Sequence, residues 1–470
     1  MCGHSSDAPD ASDPSSAKAV RGLNRQESFT IISSGVVKVL GAPIVAGAGL
    51  VNTSLIIGYA GSIQFAIVSL IATSVALFPF LDLGVGAAVT TAASESSLGT
   101  GQLRNLARVL DSAYKLLAIV ALAIASISSL LAIFQLWGPI LGINLNQHAS
   151  WIVALVFFLF ALSIPAGLGS RILVGLGKNQ VVAFLTPIAS VLTLAFTTIL
   201  CILKLPYIIL AIPSVLSVLL VNALGTYWAF RYLRRIGYKR KPRGFTIEFA
   251  LLAGSGWMLL IMVAQPATLQ SGRLLLSHLG GEKQVAEYSI LIQFYSAGWG
   301  ALAIAGVALW PAFVRRRGDY ASTVRVWAST TLVMGLTGLV GSGLLILLAR
   351  PAAGVVSHGS ITPADSAVIA FAVLLTAQSL HLPTGMLLTK PDELRWQAVC
   401  ATTAATVAVI GAFFFAPAYG VGGVVGSAAS GIILGQLIPD LLFAKRIIRL
   451  RTEAASYGPV EDRAATAKER

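Results

Sequence analysis

The chain has 470 residues, 56% of them hydrophobic and only 11% charged, with a mean hydropathy of +0.82. A soluble protein of this length could not cover its core with so few polar side chains. Hydrocarbon accepts apolar side chains on every side of a helix, so the composition excludes an ordinary soluble enzyme and predicts one all-α, membrane-embedded unit. A net charge of +14 would suggest nucleic acid in a soluble protein; here its placement predicts topology, with no nucleic-acid partner.

Residues 1–28 are rich in Ser, Ala and Asp and lack an apolar h-region, so they predict a disordered cytoplasmic tail, with no cleavable signal peptide. A spanning helix needs about 20 mostly apolar residues. Twelve segments qualify: 29–52, 62–88, 109–135, 151–173, 180–203, 207–230, 248–272, 286–313, 325–349, 366–389, 396–417 and 421–444. The seventh is the weakest, because Gln265, Pro266 and Gln270 interrupt it.

Lys and Arg placement orients the spans. With the N-terminus inside, 28 of the 33 basic residues fall on inner segments, 4 fall outside (Lys204, Arg273, Lys283 and Arg350), and Lys38 lies within the first span. That asymmetry predicts both termini in the cytoplasm. The basic run 231–243 separates two six-span lobes, 29–240 and 241–446. It reads as an anchor beside anionic lipid, or as a contact for a cytoplasmic partner or a substrate headgroup. The tail 447–470 is basic, and Ala444–Arg451 predicts a short helix lying on the inner surface.

The lobes carry a faint repeat. Gly61-Ser-Ile-Gln-Phe65-Ala-Ile67 opens span two, and Glu282-Lys-Gln-Val-Ala-Glu287-Tyr288-Ser-Ile290 opens span eight. Each has a small or polar lead followed by aromatic–small–Ile, as a parallel repeat in a transporter would leave behind.

Charges inside spans cost roughly 2.5–3.5 kcal/mol each on insertion scales, so the few present are informative. Lys38 lies about 13 Å into span one at 1.5 Å per residue, where it either fixes helix packing or lines a central cavity. Asp82, towards the inner end of span two, is near enough in depth to pair with it. Such a pair would offset desolvation and could open when an anionic substrate competes for Lys38. Arg273 is read as closing span seven, snorkelling to the surface or touching substrate, with Gln265 and Gln270 beside it. Arg171 is similar at the end of span four. Asp111 and Lys115 have the spacing of a helical ion pair. Glu248 and Asp440 lie near inner ends, while Gln293, Gln378, His381 and Gln436 are further polar points.

Catalytic signals are missing. Gly177-Lys178 is followed by Asn and lacks the leading glycine of a phosphate-binding loop. Cys2, Cys201 and Cys400 are too scattered for a metal or redox motif. The outer loops are short and poor in acid–base residues. The expectation is a non-enzyme, with no cofactor and no metal.

Several segments together resemble the polysaccharide transporter family of O-antigen and exopolysaccharide flippases, in the multidrug/oligosaccharidyl-lipid/polysaccharide exporter superfamily. They are the Lys38-bearing span, Phe65-Ala-Ile67, Pro79-Phe-Leu-Asp82-Leu-Gly84-Val-Gly86, Arg171-Ile-Leu-Val-Gly-Leu-Gly-Lys178, Gly272-Arg273 and Val285-Ala-Glu-Tyr288-Ser. Gln270 departs from the pattern, which often has an acidic residue there. The resemblance implies two six-helix lobes in a V, alternating access, and a polyprenyl-diphosphate-linked oligosaccharide as cargo in a bacterial inner membrane. Substrate contacts would come from Lys38, Arg273, Arg171, Gln270 and Gln293, with Lys38–Asp82 as the gating pair. Membrane lipids, and glycosyltransferases or a polymerase of the same pathway, would be its partners. A cation-coupled multidrug antiporter is the nearest rival, and would favour buried carboxylates. A major facilitator transporter would carry a Gly/Asp/Arg-rich loop that segment 94–104 does not resemble. A membrane-embedded polymerase or ligase would need a large reactive outer loop.

Overall fold

The computed structural model describes residues 25–78, 84–96, 100–238, 256–307, 309, 313, 316, 319–388 and 391–456. They form helices and turns with no strand. The first half comprises α1 (Arg25–Ala60), α2 (Ser62–Ser74), α3 (Val85–Glu95), α4 (Thr100–Ile133), α5 (Trp137–Leu141), α6 (Gln147–Ala166), α7 (Leu168–Gly175), α8 (Asn179–Ile202) and α9 (Ile212–Arg235). The second half comprises α10 (Gly256–Leu269), α11 (Ser271–Leu279), α12 (Glu282–Val307), α13 (Tyr320–Val356), α14 (Asp365–Leu387), α15 (Pro391–Ile432) and α16 (Ile438–Ser456).

Nine of these stretches are long and apolar enough to cross a membrane, and the bent pair α10–α11 makes ten. The stretch Glu393–Glu453 bends back on itself at Gly420, whose φ of 55° breaks the helix, and so supplies one more. The shorter apolar stretch Ser62–Leu77, which contains α2, lies within the second predicted span, 62–88. The chain is therefore a multi-pass membrane protein with about twelve crossings, as its hydropathy predicted. Its outward face is what lipid contact requires: Leu122, Phe134, Ile202, Leu347 and Phe414 are all exposed.

Within the first half α1 packs on α8, α4 on α6, and α9 on both α6 and α8; within the second, α14 sits between α13 and α15. The halves meet through α12, which packs against α1 and α2, and through α11, which touches α2 and α5. The two segments of the faint repeat, opening α2 and α12, thus lie against each other.

Burial divides the bundle along its length. At the end holding the turns 60–62 and 279–282, one apolar core draws on both halves, including Phe65, Leu70, Ile71, Leu276, Leu291 and Phe371. Toward the other end the buried residues separate. Val89, Leu106, Leu117, Ile172 and Leu233 form a core of the first half. Phe313, Trp327, Leu387, Ala444 and Ile448 form one of the second. Basic residues lie over aromatic rings at this divided end: Lys178 and Arg235 over Tyr232, Arg395 over Trp257, and Arg449 over Tyr320.

Two expectations need correction. Span seven does not close at residue 272; after a 44° bend at Gln270 it continues as α11 to Leu279. The basic segment Ala444–Arg451 continues α16, with Ala444 and Ile448 buried against the second-half core, Arg451 paired with Glu393 at 3.3 Å, and Lys445, Arg446, Arg449 and Leu450 exposed.

Candidate functional site

The bend at Gln270 frees the carbonyl of Leu269, which a continuous helix would have bonded to the amide of residue 273. The Tyr288 hydroxyl donates to that carbonyl at 3.0 Å. The Tyr288 ring lies so close to Gly272 that a Cβ there would meet it at 2.8 Å, so the quoted Gly272 and Tyr288 form one packing unit.

Arg273, next to this unit, is only 7% exposed. Its Nε donates to Ser289 Oγ at 3.0 Å, and its guanidinium stands 5.8 Å from the Tyr288 ring centroid. Ser289 also accepts from Ser69 Oγ at 3.1 Å, and Ser69 belongs to α2 of the first half. Among the described residues no carboxylate is within ion-pair distance of Arg273. Snorkelling is therefore excluded: the side chain points into the seam between the halves.

One turn along α12 from Ser289, Gln293 Nε2 donates to Thr53 Oγ1 of α1 at 2.6 Å, and its buried Oε1 has no partner among the described residues. Residues 289 and 293 share a helix face, so Arg273 and Gln293 are brought to the same seam. Deeper in the second half, the Tyr295 hydroxyl donates to Gln378 Oε1. Gln270 is half-buried at the bend.

Lys38 is exposed on α1. At about 100° per residue it lies about 60° around the helix from Thr53, which meets α12, and about 60° the other way from Gly41, which meets Pro187 of α8. Asp82 lies outside the described residues, as does Glu248. Arg171 is not brought to the seam; it is exposed on α7, where its carbonyl accepts from Thr90 at 3.3 Å. Asp111 and Lys115 form the expected helical pair at 2.5 Å.

A second polar group forms within the second half. His381 Nδ1 is 2.8 Å from Asp440 Oδ2, and Trp396 Nε1 donates to Asp440 Oδ1 at 3.2 Å. Gln265, Gln397, Cys400 and Gln436 line the same small cavity. Gln436 stands in a π-helical turn, Ile433–Leu437, and its buried Oε1 has no hydrogen-bond partner. No group of His, Cys, Asp and Glu suited to a metal ion occurs among the described residues.

Reading the sequence alone missed Ser69 and Ser289. A signal existed, since Ser289 sits inside the quoted Tyr288-Ser-Ile290 and Ser69 lies two residues past the matching Phe65-Ala-Ile67. Trp396 and Gln397 were missed with less warning, as nothing local links them to Asp440.

No protein-family model matches the chain, and no curated protein matches its sequence significantly. Solved structures do match. A multidrug resistance MATE family transporter of the MOP superfamily, in an inward-facing conformation, aligns over 89% of this chain and 99% of its own at 15% identity, with a TM-score of 0.67. The lipid II flippase MurJ, in an inward closed conformation, covers 87% of each chain at 16% identity and a TM-score of 0.67. A MOP superfamily transporter from Pyrococcus furiosus, described as having a binding pocket of reverse polarity that suggests a different function, covers 91% of this chain and 96% of its own at 17% identity and a TM-score of 0.62. The chain has the fold of MOP superfamily transporters.

Proposed function

We propose that the protein is an alternating-access flippase that carries an anionic lipid-linked saccharide, of the polyprenyl diphosphate class, across a bacterial cytoplasmic membrane. The observation that carries this reading is Arg273, a buried cation at the seam between the halves with no carboxylate of the described residues within ion-pair distance. A buried charge without a counter-ion is costly, and functional use is the default reading for an ionisable residue at membrane depth. A diphosphate supplies the missing negative charge and accepts the forked N–H groups of a guanidinium. Lys38, Gln293 and Gln270 complete a polar path along α1, α12 and the α10–α11 bend. The prenyl chain stays in lipid between the lobes 29–240 and 241–446. On this reading both termini are cytoplasmic and the divided end faces the cytoplasm.

A cationic drug would need a buried carboxylate free to receive it. Among the described residues the buried carboxylates are Asp440, held by His381 and Trp396, and Glu393, held by Arg451. This favours the anionic cargo over the multidrug antiporter. Among the described residues the seam offers no acid–base pair for a polymerase or ligase.

Proteoliposomes loaded with a fluorescent polyprenyl-diphosphate saccharide test the reading. The unsubstituted protein should move the probe between leaflets, and Arg273→Ala and Lys38→Ala should not. Normal movement by both variants, or export of a cationic dye with no movement of the lipid probe, would overturn it.

A further inference from the structure

At the divided end of the first half, α7 and α9 pack together and finish in the same way. Each closing turn carries a glycine with positive φ, Gly177 at +70° and Gly237 at +87°. In each, the amide after the glycine returns to the carbonyl of a leucine fully buried in the first-half core: Lys178 to Leu173 at 2.8 Å, and Tyr238 to Leu233 at 3.0 Å. These turns hold two cations over one ring. Lys178 Nζ lies 5.6 Å from the Tyr232 ring centroid, and the Arg235 guanidinium carbon lies 5.9 Å from it. Arg231 stands one turn before Arg235 on the same face of α9.

A cation at a helix carboxyl end complements the helix dipole, which accounts for one at each terminus. It does not account for the group. Arg231 and Arg235 have the i, i+4 spacing at which like charges repel. Among the described residues Lys178, Arg231 and Arg235 form no ion pair. From residue 84 to residue 238 the sequence has two carboxylates, Glu95 and Asp111, and Asp111 is taken by Lys115.

The face of α9 that leads to the cluster is apolar. Leu220, Leu224, Tyr227, Arg231 and Arg235 are all exposed. At about 100° per residue they fall within about 80° of one another around the helix, and the apolar part runs for about 10 Å before the arginines begin. α9 packs mainly on α6, α7 and α8, all of the first half. The strip is therefore distinct from the seam at Arg273.

We propose that this is a binding site for one anionic phospholipid of the surrounding bilayer. Its phosphate diester sits among Lys178, Arg231 and Arg235, and an acyl chain lies along Leu220, Leu224 and Tyr227. The phosphate supplies the negative charge that the cluster lacks and accepts ammonium and guanidinium N–H groups. The inference does not depend on what the protein carries.

Native mass spectrometry of the full chain in detergent, with phosphatidylglycerol or phosphatidylethanolamine of the same acyl chains added, tests it. The most firmly held phosphatidylglycerol should stay bound where phosphatidylethanolamine does not. Lys178→Gln combined with Arg235→Gln should weaken its binding about 30-fold, two basic side chains at about fivefold each. Arg104→Gln, at an exposed arginine of α4, should leave it unchanged, and so should Arg273→Ala, which separates this site from the seam. Phosphatidylglycerol should also raise the unfolding temperature of the unsubstituted protein and not that of the double variant, a comparison that holds even if the variant is less stable. Equal retention of the two lipids, unchanged retention in the double variant, or an equal loss in Arg104→Gln or Arg273→Ala would overturn the site. Inorganic phosphate in millimolar excess should not displace the lipid; if it does, the site takes a soluble anion and the lipid assignment falls.

Discussion

Arg273 and Asp440 are both charged, both buried and both in the second half, yet the protein holds them in opposite ways. Asp440 has a partner on each oxygen, His381 on one and the Trp396 indole on the other. Arg273 has a neutral serine and a ring face, and no counter-ion among the described residues. The first arrangement links α14, α15 and α16. The second is incomplete and lies where the halves meet. A paired charge points to structure; under the proposed function, a buried cation at the seam with no counter-ion among the described residues serves a passing anion.

The comparison can be broken by substitution. Arg273→Met should reduce lipid-probe movement to background, a loss of at least about 100-fold, the scale of a lost charge-assisted contact. The same variant should unfold in detergent at an equal or higher temperature, because removing an unpaired buried charge relieves desolvation. Lost transport with a large loss of stability would place Arg273 with Asp440 as a packing residue. Asp440→Ala should do the reverse. It leaves the Trp396 indole without an acceptor, and should lower stability by about 2 kcal/mol. Thermal unfolding followed by tryptophan fluorescence measures it.

Smaller changes sharpen the distinction. Arg273→Lys keeps the charge but loses the planar fork, so transport should fall about tenfold and persist. Ser69→Ala removes one inter-half hydrogen bond and should cost about 0.6 kcal/mol, the average for such bonds in membrane proteins. Its signature should be a shifted ratio of joined to parted halves in label-distance measurements, with little change in unfolding temperature. If instead unfolding falls by several degrees and the ratio is unmoved, the Ser69–Ser289 contact is ordinary packing.

Of the candidate residues, Arg273 and Gln293 were legible as polar points in apolar spans, and His381, Gln436 and Asp440 likewise. Their grouping was not. Arg273 looked like a helix-end anchor because the span was read to stop at residue 272; only the bend at Gln270 shows that the chain runs on to Leu279 and keeps the guanidinium inside. Arg171 carries the same kind of charge on the same kind of sequence, yet it lies on α7 away from the seam.

Sequence alone settled what depends on local composition: about twelve crossings, an all-helical chain, and the concentration of basic residues on alternate connections. These follow from transfer free energies summed along each segment, which neighbours scarcely alter. Tertiary structure alone decided which polar side chains meet, because residues 69 and 289, or 381 and 440, are joined by packing across helices far apart in the chain. It also decided that one end of the bundle shares a core while the other divides, since hydrocarbon-facing and partner-facing apolar residues are chemically alike and only contact tells them apart.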